Sequence, residues 1–125
     1  MHWIIDAMNV IGSRPDGWWR DRHGAMVRLV DALERWIAAD GDDVTVVFEQ
    51  PPRPPITSSV LEVAHARRAG PNSADHEIVR RVRDAQDPSV VRVVTSDGAL
   101  SEQVRAAGAS VYPSAQFRAE LDDAG

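Results

Sequence analysis

The sequence predicts an α/β domain: a three-layer sandwich with a central, mostly parallel sheet of about four to five strands. Two observations carry this. Short apolar runs at Trp3–Ile5, Val44–Phe48 and Val90–Val94 read as buried strands, and the segments between them carry apolar residues at three- and four-residue spacing. Strands alternating with helices require a parallel sheet covered on both faces. A third observation sets the scale: 125 residues without internal repeats or low-complexity linkers make one domain, residues 1–125.

Taken in order, residues 2–6 form the first strand. Ala7–Arg22 follows as a connection punctuated by Gly12, Pro15 and Gly17. From His23 to Ala39, Met26, Val27, Val30, Leu33 and Ile37 mark one face of a helix, with Asp21 near its start and Gly41 at its end. Val44–Phe48 is the second strand, closed by Glu49, Gln50 and the stiff segment Pro51-Pro52-Arg53-Pro54-Pro55. Val60–Ala66 alternates imperfectly and is compatible with either strand or helix. After the break Gly70-Pro71-Asn72, Ser73 opens a helix to Asp84 with Ile78, Val79 and Val82 inward and Arg80, Arg81 and Arg83 mostly outward. Val90–Val94 is the next strand, Ser96-Asp97-Gly98 caps a helix ending near Gly108, and Ala109–Tyr112 is the last strand. Ser114 stands at the cap of a terminal helix through Leu121.

Composition narrows the chemistry. With no cysteine, any metal must be held by oxygen or histidine nitrogen. All 14 basic residues are arginines, which removes Schiff-base and P-loop lysine chemistry. The net charge of −5 argues against broad nucleic-acid binding but leaves room for local arginine patches. No apolar run approaches the roughly 20 residues of a membrane span, and no signal-peptide pattern opens the chain, so a cytoplasmic protein is expected.

Ligands of open parallel sheets bind outside the carboxyl ends of the strands, where the strand order reverses. Asp6 ends the first strand, Glu49 follows the second and Asp97 follows Val90–Val94, all at one sheet edge. Asp75 lies in the first turn of a helix that begins near that edge. Each has an ordinary alternative: Asp75 as a first-turn acid favoured by the helix dipole, Asp97 as an N-cap, Glu49 as an exposed strand end. Asp6 is hardest to explain that way, because it interrupts a hydrophobic strand. Converging carboxylates repel unless a cation neutralises them, and an oxygen-only set favours one or two Mg²⁺ or Mn²⁺ ions. Such a site suits phosphodiester hydrolysis by metal-activated water.

At these residues the chain resembles the NYN-domain branch of the PIN-like ribonucleases, and within it the YacP-like bacterial members. The matching pieces are Ile4-Ile5-Asp6-Ala7-Met8-Asn9-Val10-Ile11, the strand ending Val46-Val47-Phe48-Glu49-Gln50, the helix start at Ser73-Ala74-Asp75, Thr95-Ser96-Asp97, and the closing serine-containing turn at Ser114. The resemblance implies a PIN-like fold and a metal-dependent endoribonuclease site. In it Asp6, Asp75 and Asp97 match acidic metal-ligand positions, Asn9 an associated polar residue, and Thr95 and Ser96 a site-forming turn. The chain departs from the pattern at Glu49, where similar members commonly carry aspartate. Its role is thereby left open between direct ligation, contact through water, and solvent exposure.

RNA requires positive charge at the rim. Arg14, Arg20, Arg22, Arg67 and Arg68 are the candidates, since guanidinium groups bind phosphate in bidentate fashion. Trp18 and Trp19 are candidates for base stacking, with at least one expected to be a packing anchor instead. Arg80, Arg81 and Arg83 are expected to be solvated. His76 follows Asp75 and points about 100° away on a helix; with no second histidine at matching spacing, a zinc site is not expected. Ser96 and Ser101 lack a histidine partner. The expected partner is RNA, free or presented on the ribosome, with no membrane and an open oligomeric state that includes a homodimer. A second reading is an RNA-binding or ribosome-associated module with weak or no cleavage. A third, a phosphatase using Asp6 as nucleophile, is disfavoured by Met8 where a second acid is needed and by the lack of lysine.

Overall fold

The computed structural model describes residues 1–40, 42–68, 70 and 72–124; the helix stop expected at Gly41 and the break at Pro71 lie outside the described residues. Five strands form one all-parallel sheet: β1 (His2–Asp6), β2 (Asp43–Phe48), β3 (Glu62–His65), β4 (Val91–Val94) and β5 (Ser110–Tyr112), in the order β3-β2-β1-β4-β5. The chain winds outward from β1 to β3, crosses back to β4 and continues to β5. The order therefore reverses between β1 and β4, at the carboxyl end of β1. The helices are α1 (Ala7–Ile11), α2 (Arg22–Asp40), α3 (Ser73–Asp84), α4 (Gly98–Ala106) and α5 (Ser114–Ala124).

Strand alternation sorts side chains into two cores. Trp3, Ile5, Val44, Val46, Phe48 and Val94 face α1, α2 and α5, while Ile4, Val47, Val91 and Val93 face α3 and α4. Fully buried residues such as Phe48 and Ile5 each contribute about 1.5–3 kcal/mol by leaving water. Trp3, Trp36, Tyr112 and Phe117 interlock mostly edge-on, with centroids 5.0–6.3 Å apart, and fix α2 and α5 to the sheet.

The ambiguous segment is a strand at Glu62–His65. It lies at the sheet edge, so only one side of its ladder is paired. Two short elements interrupt the expected connection Ala7–Arg22: α1 and a 3₁₀ turn at Trp18–Arg20. Val90 belongs to a 3₁₀ turn rather than to β4. Asp21 does cap α2, accepting from the backbone N–H of Gly24 at 2.9 Å. Asp21→Ala is expected to cost about 1 kcal/mol, read as a lower urea midpoint at unchanged slope. Gly108 leaves α4 at φ +98°, where a Cβ would approach the Pro88 Cβ to 3.3 Å, so the turn into β5 requires glycine.

Arg80 and Arg81 are not simply solvated. Glu77, buried on α3, accepts from both, and Arg81 also makes two bonds to Glu62, at 2.8 and 3.0 Å. Burial pushes Glu77 up, but its bonds to the two guanidinium groups outweigh that and hold it below the ordinary carboxylate range. Bonding to Arg81 lowers Glu62 as well. The Arg81–Glu62 pair pins α3 to the first residue of β3. Arg83 is exposed, as expected.

Candidate active site

Register explains why Asp6 faces α3. Asp6 pairs with Val47, and alternation puts both on the side of Ile4, beneath α3. Thr95 follows Val94, the partner of Ile5, and so arrives beside Asp6. Its hydroxyl donates to Asp6 Oδ2 at 2.9 Å and accepts from the Asp97 backbone N–H at 3.2 Å. Asp97 caps α4, its Oδ1 accepting from the Leu100 N–H at 2.8 Å. The start of α3 is tied to the end of β2 by the Ser73 hydroxyl, which donates to the Glu49 carbonyl at 3.1 Å; that brings Asp75 over the same edge. Asn72, immediately before α3, adopts the left-handed conformation at φ 59° that asparagine tolerates better than most residues.

The four acids share one electrostatic field. Asp6 is only 6 % exposed, and burial first, then repulsion from Asp75, Asp97 and Glu49, raises its pKa to about 7 against the opposing bond from Thr95. Asp75 is also raised, by burial and then by Asp97, with Glu49 adding and His76 opposing. Among the described residues, no arginine or histidine forms an ion pair with Asp6, Glu49, Asp75 or Asp97. An all-oxygen, uncompensated set of this kind fits a hard divalent cation in chemistry and charge. It is not a ready-made cage: among the described residues, no three acidic or histidine side chains already form a metal-holding group. One oxygen each of Asp6 and Asp97 is engaged by Thr95 and Leu100, which leaves the other oxygens and Asp75 as donors.

Asn9 stands behind these acids. Its Oδ1 accepts from the Ser96 N–H at 2.8 Å and from the Ser114 hydroxyl at 2.6 Å. A backbone N–H can only donate, so the carbonyl oxygen must face Ser96. The Ser114 N–H in turn donates to Ser96 Oγ at 2.9 Å. Three connections, after β1, β4 and β5, are thus tied together. Ser114 is not the expected helix cap: α5 starts at Ser114 itself, and its hydroxyl is spent on Asn9. Arg118, one helical turn later, donates to the carbonyls of Val10 and Ile11 and pairs with Asp16, holding the end of α1. Sequence reasoning passed over Arg118; its i+4 spacing from Ser114 is the signal that the two share a face.

The candidate substrate contacts divide. Arg67 and Arg68 are exposed and line a groove with Ser73 and His76 on the α3 flank. Arg22 lines a second groove with Met8 and Glu49 on the α2 flank. Arg14 instead pairs with Asp122 of α5. Trp18 packs against the core, the anchor of the pair, while Trp19 is 51 % exposed with Arg20 6.0 Å from its ring centre. Thr95 and Ser96 are occupied in positioning Asp6, Asp97 and Ser114. No helix among the described residues is long and apolar enough to cross a membrane.

The family model of the YacP-like NYN domain matches residues 3–125. No curated protein matches the chain. Two crystal structures of Rae1 (YacP) from Bacillus subtilis share its fold. A tryptophan-to-leucine mutant aligns with a TM-score of 0.81 at 20 % identity, covering 98 % of this chain and 76 % of the other. The second aligns at 0.79 and 19 %, covering 99 % and 75 %. The match over residues 3–125 and the shared fold agree: the chain belongs to the YacP-like NYN domain family and is a PIN-like domain of nuclease type.

Proposed function

We propose that this protein is a metal-dependent endoribonuclease that hydrolyses RNA phosphodiester bonds, using Mg²⁺ or Mn²⁺. The observation that carries the reading is the carboxylate of Asp6 at the point of strand reversal, raised first by burial and then by three neighbouring acids and, among the described residues, paired with no basic side chain. Asp6, Asp75 and Asp97 would hold one or two ions, with Glu49 as a further donor. A bound divalent ion supplies an acidified water and charge stabilisation at the phosphate and the leaving oxygen. The chain's own part is to keep the donors in place: Thr95 aims Asp6, the α4 amide fixes Asp97, and Ser73 holds the helix that carries Asp75.

The test is cleavage of labelled single-stranded and structured RNAs with Mn²⁺ or Mg²⁺ by wild type and Asp6→Asn. Wild-type cleavage that disappears in EDTA is expected, with a loss of at least about 10³-fold in Asp6→Asn, the scale of losing several kcal/mol of transition-state stabilisation. Cleavage unchanged in Asp6→Asn would remove the site. The lack of a ready-made three-ligand group among the described residues favours a second reading, an RNA-binding or ribosome-associated module with little cleavage. Tight RNA binding without metal-dependent cutting by wild type would select it.

A further inference from the structure

A cleft of about 510 Å³ opens beside Glu49, between the α1–α2 flank and the loop after β2, within the range of about 300–1,000 Å³ typical of small-ligand pockets. Met8 of α1, Met26 of α2 and Pro51 and Pro52 of the loop after β2 line it. Arg22 and Arg53 stand at its rim, both exposed and, among the described residues, paired with no acid. The Arg22 guanidinium lies 5.2 Å from the centre of the Trp18 ring, which restrains its direction. The opening is held in place. His23 Nε2 bonds the Pro54 carbonyl at 2.8 Å, and the Ser58 hydroxyl donates to Glu34 at 2.8 Å, fastening the loop to α2.

Glu49 belongs both to this cleft and to the acidic cluster, and Met8 is two residues from Asp6. The cleft therefore adjoins the acids at Glu49. Thioethers and proline rings offer polarisable, flat apolar contact, the Gln50 amide offers both a donor and an acceptor, and two free guanidinium groups offer phosphate binding. That combination matches one nucleotide: a base against these apolar groups, its edge at Gln50, its phosphate at the rim. We infer that this cleft takes the unpaired base of a nucleotide flanking the phosphate at the acids, with Arg22 and Arg53 on the adjoining backbone. The inference rests on the ribonuclease reading above. The groove on the α3 flank is the competing location: its Arg80 is spent on Glu77 and Asp84, and although Arg67 and Arg68 are exposed there, none of the four acids lines it.

The test uses the non-cleaving Asp6→Asn protein and a set of short RNAs, each carrying one 4-thiouridine, photocrosslinked and mapped by mass spectrometry. At one nucleotide position, crosslinks are expected on the Met8, Arg22–Met26 and Gln50–Arg53 segments. In parallel, Arg53→Glu is expected to weaken binding of the intact RNA tenfold or more, and to weaken binding much less when that nucleotide is abasic, because the two changes remove parts of one contact. Crosslinks confined to Arg67, Arg68 and His76, or equal weakening for both RNAs, overturn the cleft. Those results with wild-type cleavage intact refute the cleft alone; RNA neither cut by wild type nor crosslinked refutes the ribonuclease reading with it.

Discussion

Asp6→Asn is expected to make the metal-free protein more stable at pH 8, by up to about 4 kcal/mol, while removing cleavage. The Asp6 carboxyl is raised from its ordinary 3.8 to about 7. Between those values the unfolded chain has released this proton and the folded protein retains it. The folded state then binds more protons, so the free energy of unfolding falls as pH rises, at about 1.4 kcal/mol per unit, and levels off above about 7. Asp75, also raised, acts in the same direction. Glu62 and Glu77 are held below the ordinary range and act in the opposite sense, but only at lower pH. The interval from pH 5 to pH 8 therefore isolates the site. Urea unfolding in EDTA should show wild-type stability dropping by about 3 kcal/mol across it, with most of that drop absent in Asp6→Asn. The asparagine carbonyl still accepts from Thr95, so the substitution removes charge without orphaning the hydroxyl.

Mn²⁺ should reverse the wild-type deficit. A ligand bound only to the folded state at a hundred times its dissociation constant adds about 2.7 kcal/mol. The melting temperature should rise with Mn²⁺ at pH 8 in wild type and stay nearly constant in Asp6→Asn. A variant that loses stability at pH 8, or a wild type indifferent to Mn²⁺, would show that Asp6 is an ordinary buried acid. The native protein, on this view, carries a destabilising carboxylate for the sake of its site, a common compromise between stability and activity.

Asp6 is legible in the sequence because a charge that ends a hydrophobic strand has no packing reason to be there. Asp97 and Asp75 are legible only by place, Asp97 just after a strand and Asp75 at the start of a helix near the same sheet edge, since each also reads as an ordinary helix-start acid. The ties between them are not legible. Ser114 and Asn9 are 105 positions apart, and Ser114 looks like a cap because serine before a helix usually is one. Five residues of α1 are too few for a periodicity to register. β3 is ambiguous because an edge strand with exposed Glu62 and His65 shows only a partial alternation. Arg80 and Arg81 look solvated until the fold buries Glu77 between them. Local pattern marks which residues are unusual; long-range register decides what each one meets.

Asn9→Ala is expected to reduce cleavage by about 100-fold and stability by about 2–3 kcal/mol, and Asn9→Asp to restore most of both. Asn9 Oδ1 holds the Ser96 N–H and the hydroxyl of Ser114, which is almost wholly buried. Removing it leaves that hydroxyl without an acceptor, at about 1–3 kcal/mol, with the loss of a second bond in addition. The turn Thr95-Ser96-Asp97 then loses its anchor to α1 and keeps only the Ser114 N–H bond to Ser96 Oγ, and the hydroxyl that aims Asp6 moves with it. Small displacements of such groups cost on the order of 100-fold in rate. An aspartate at position 9 accepts from the same two donors. If Asn9 acts by holding the turn, Asn9→Asp keeps cleavage within about tenfold of wild type and lifts the urea midpoint back. If instead the Asn9 amide N–H₂ touches the substrate, Asn9→Asp loses the donor and adds repulsion with phosphate, so it recovers stability but remains as inactive as Asn9→Ala. Comparing the midpoint with kcat/KM for the two variants separates a residue that positions the acids from one that contacts RNA.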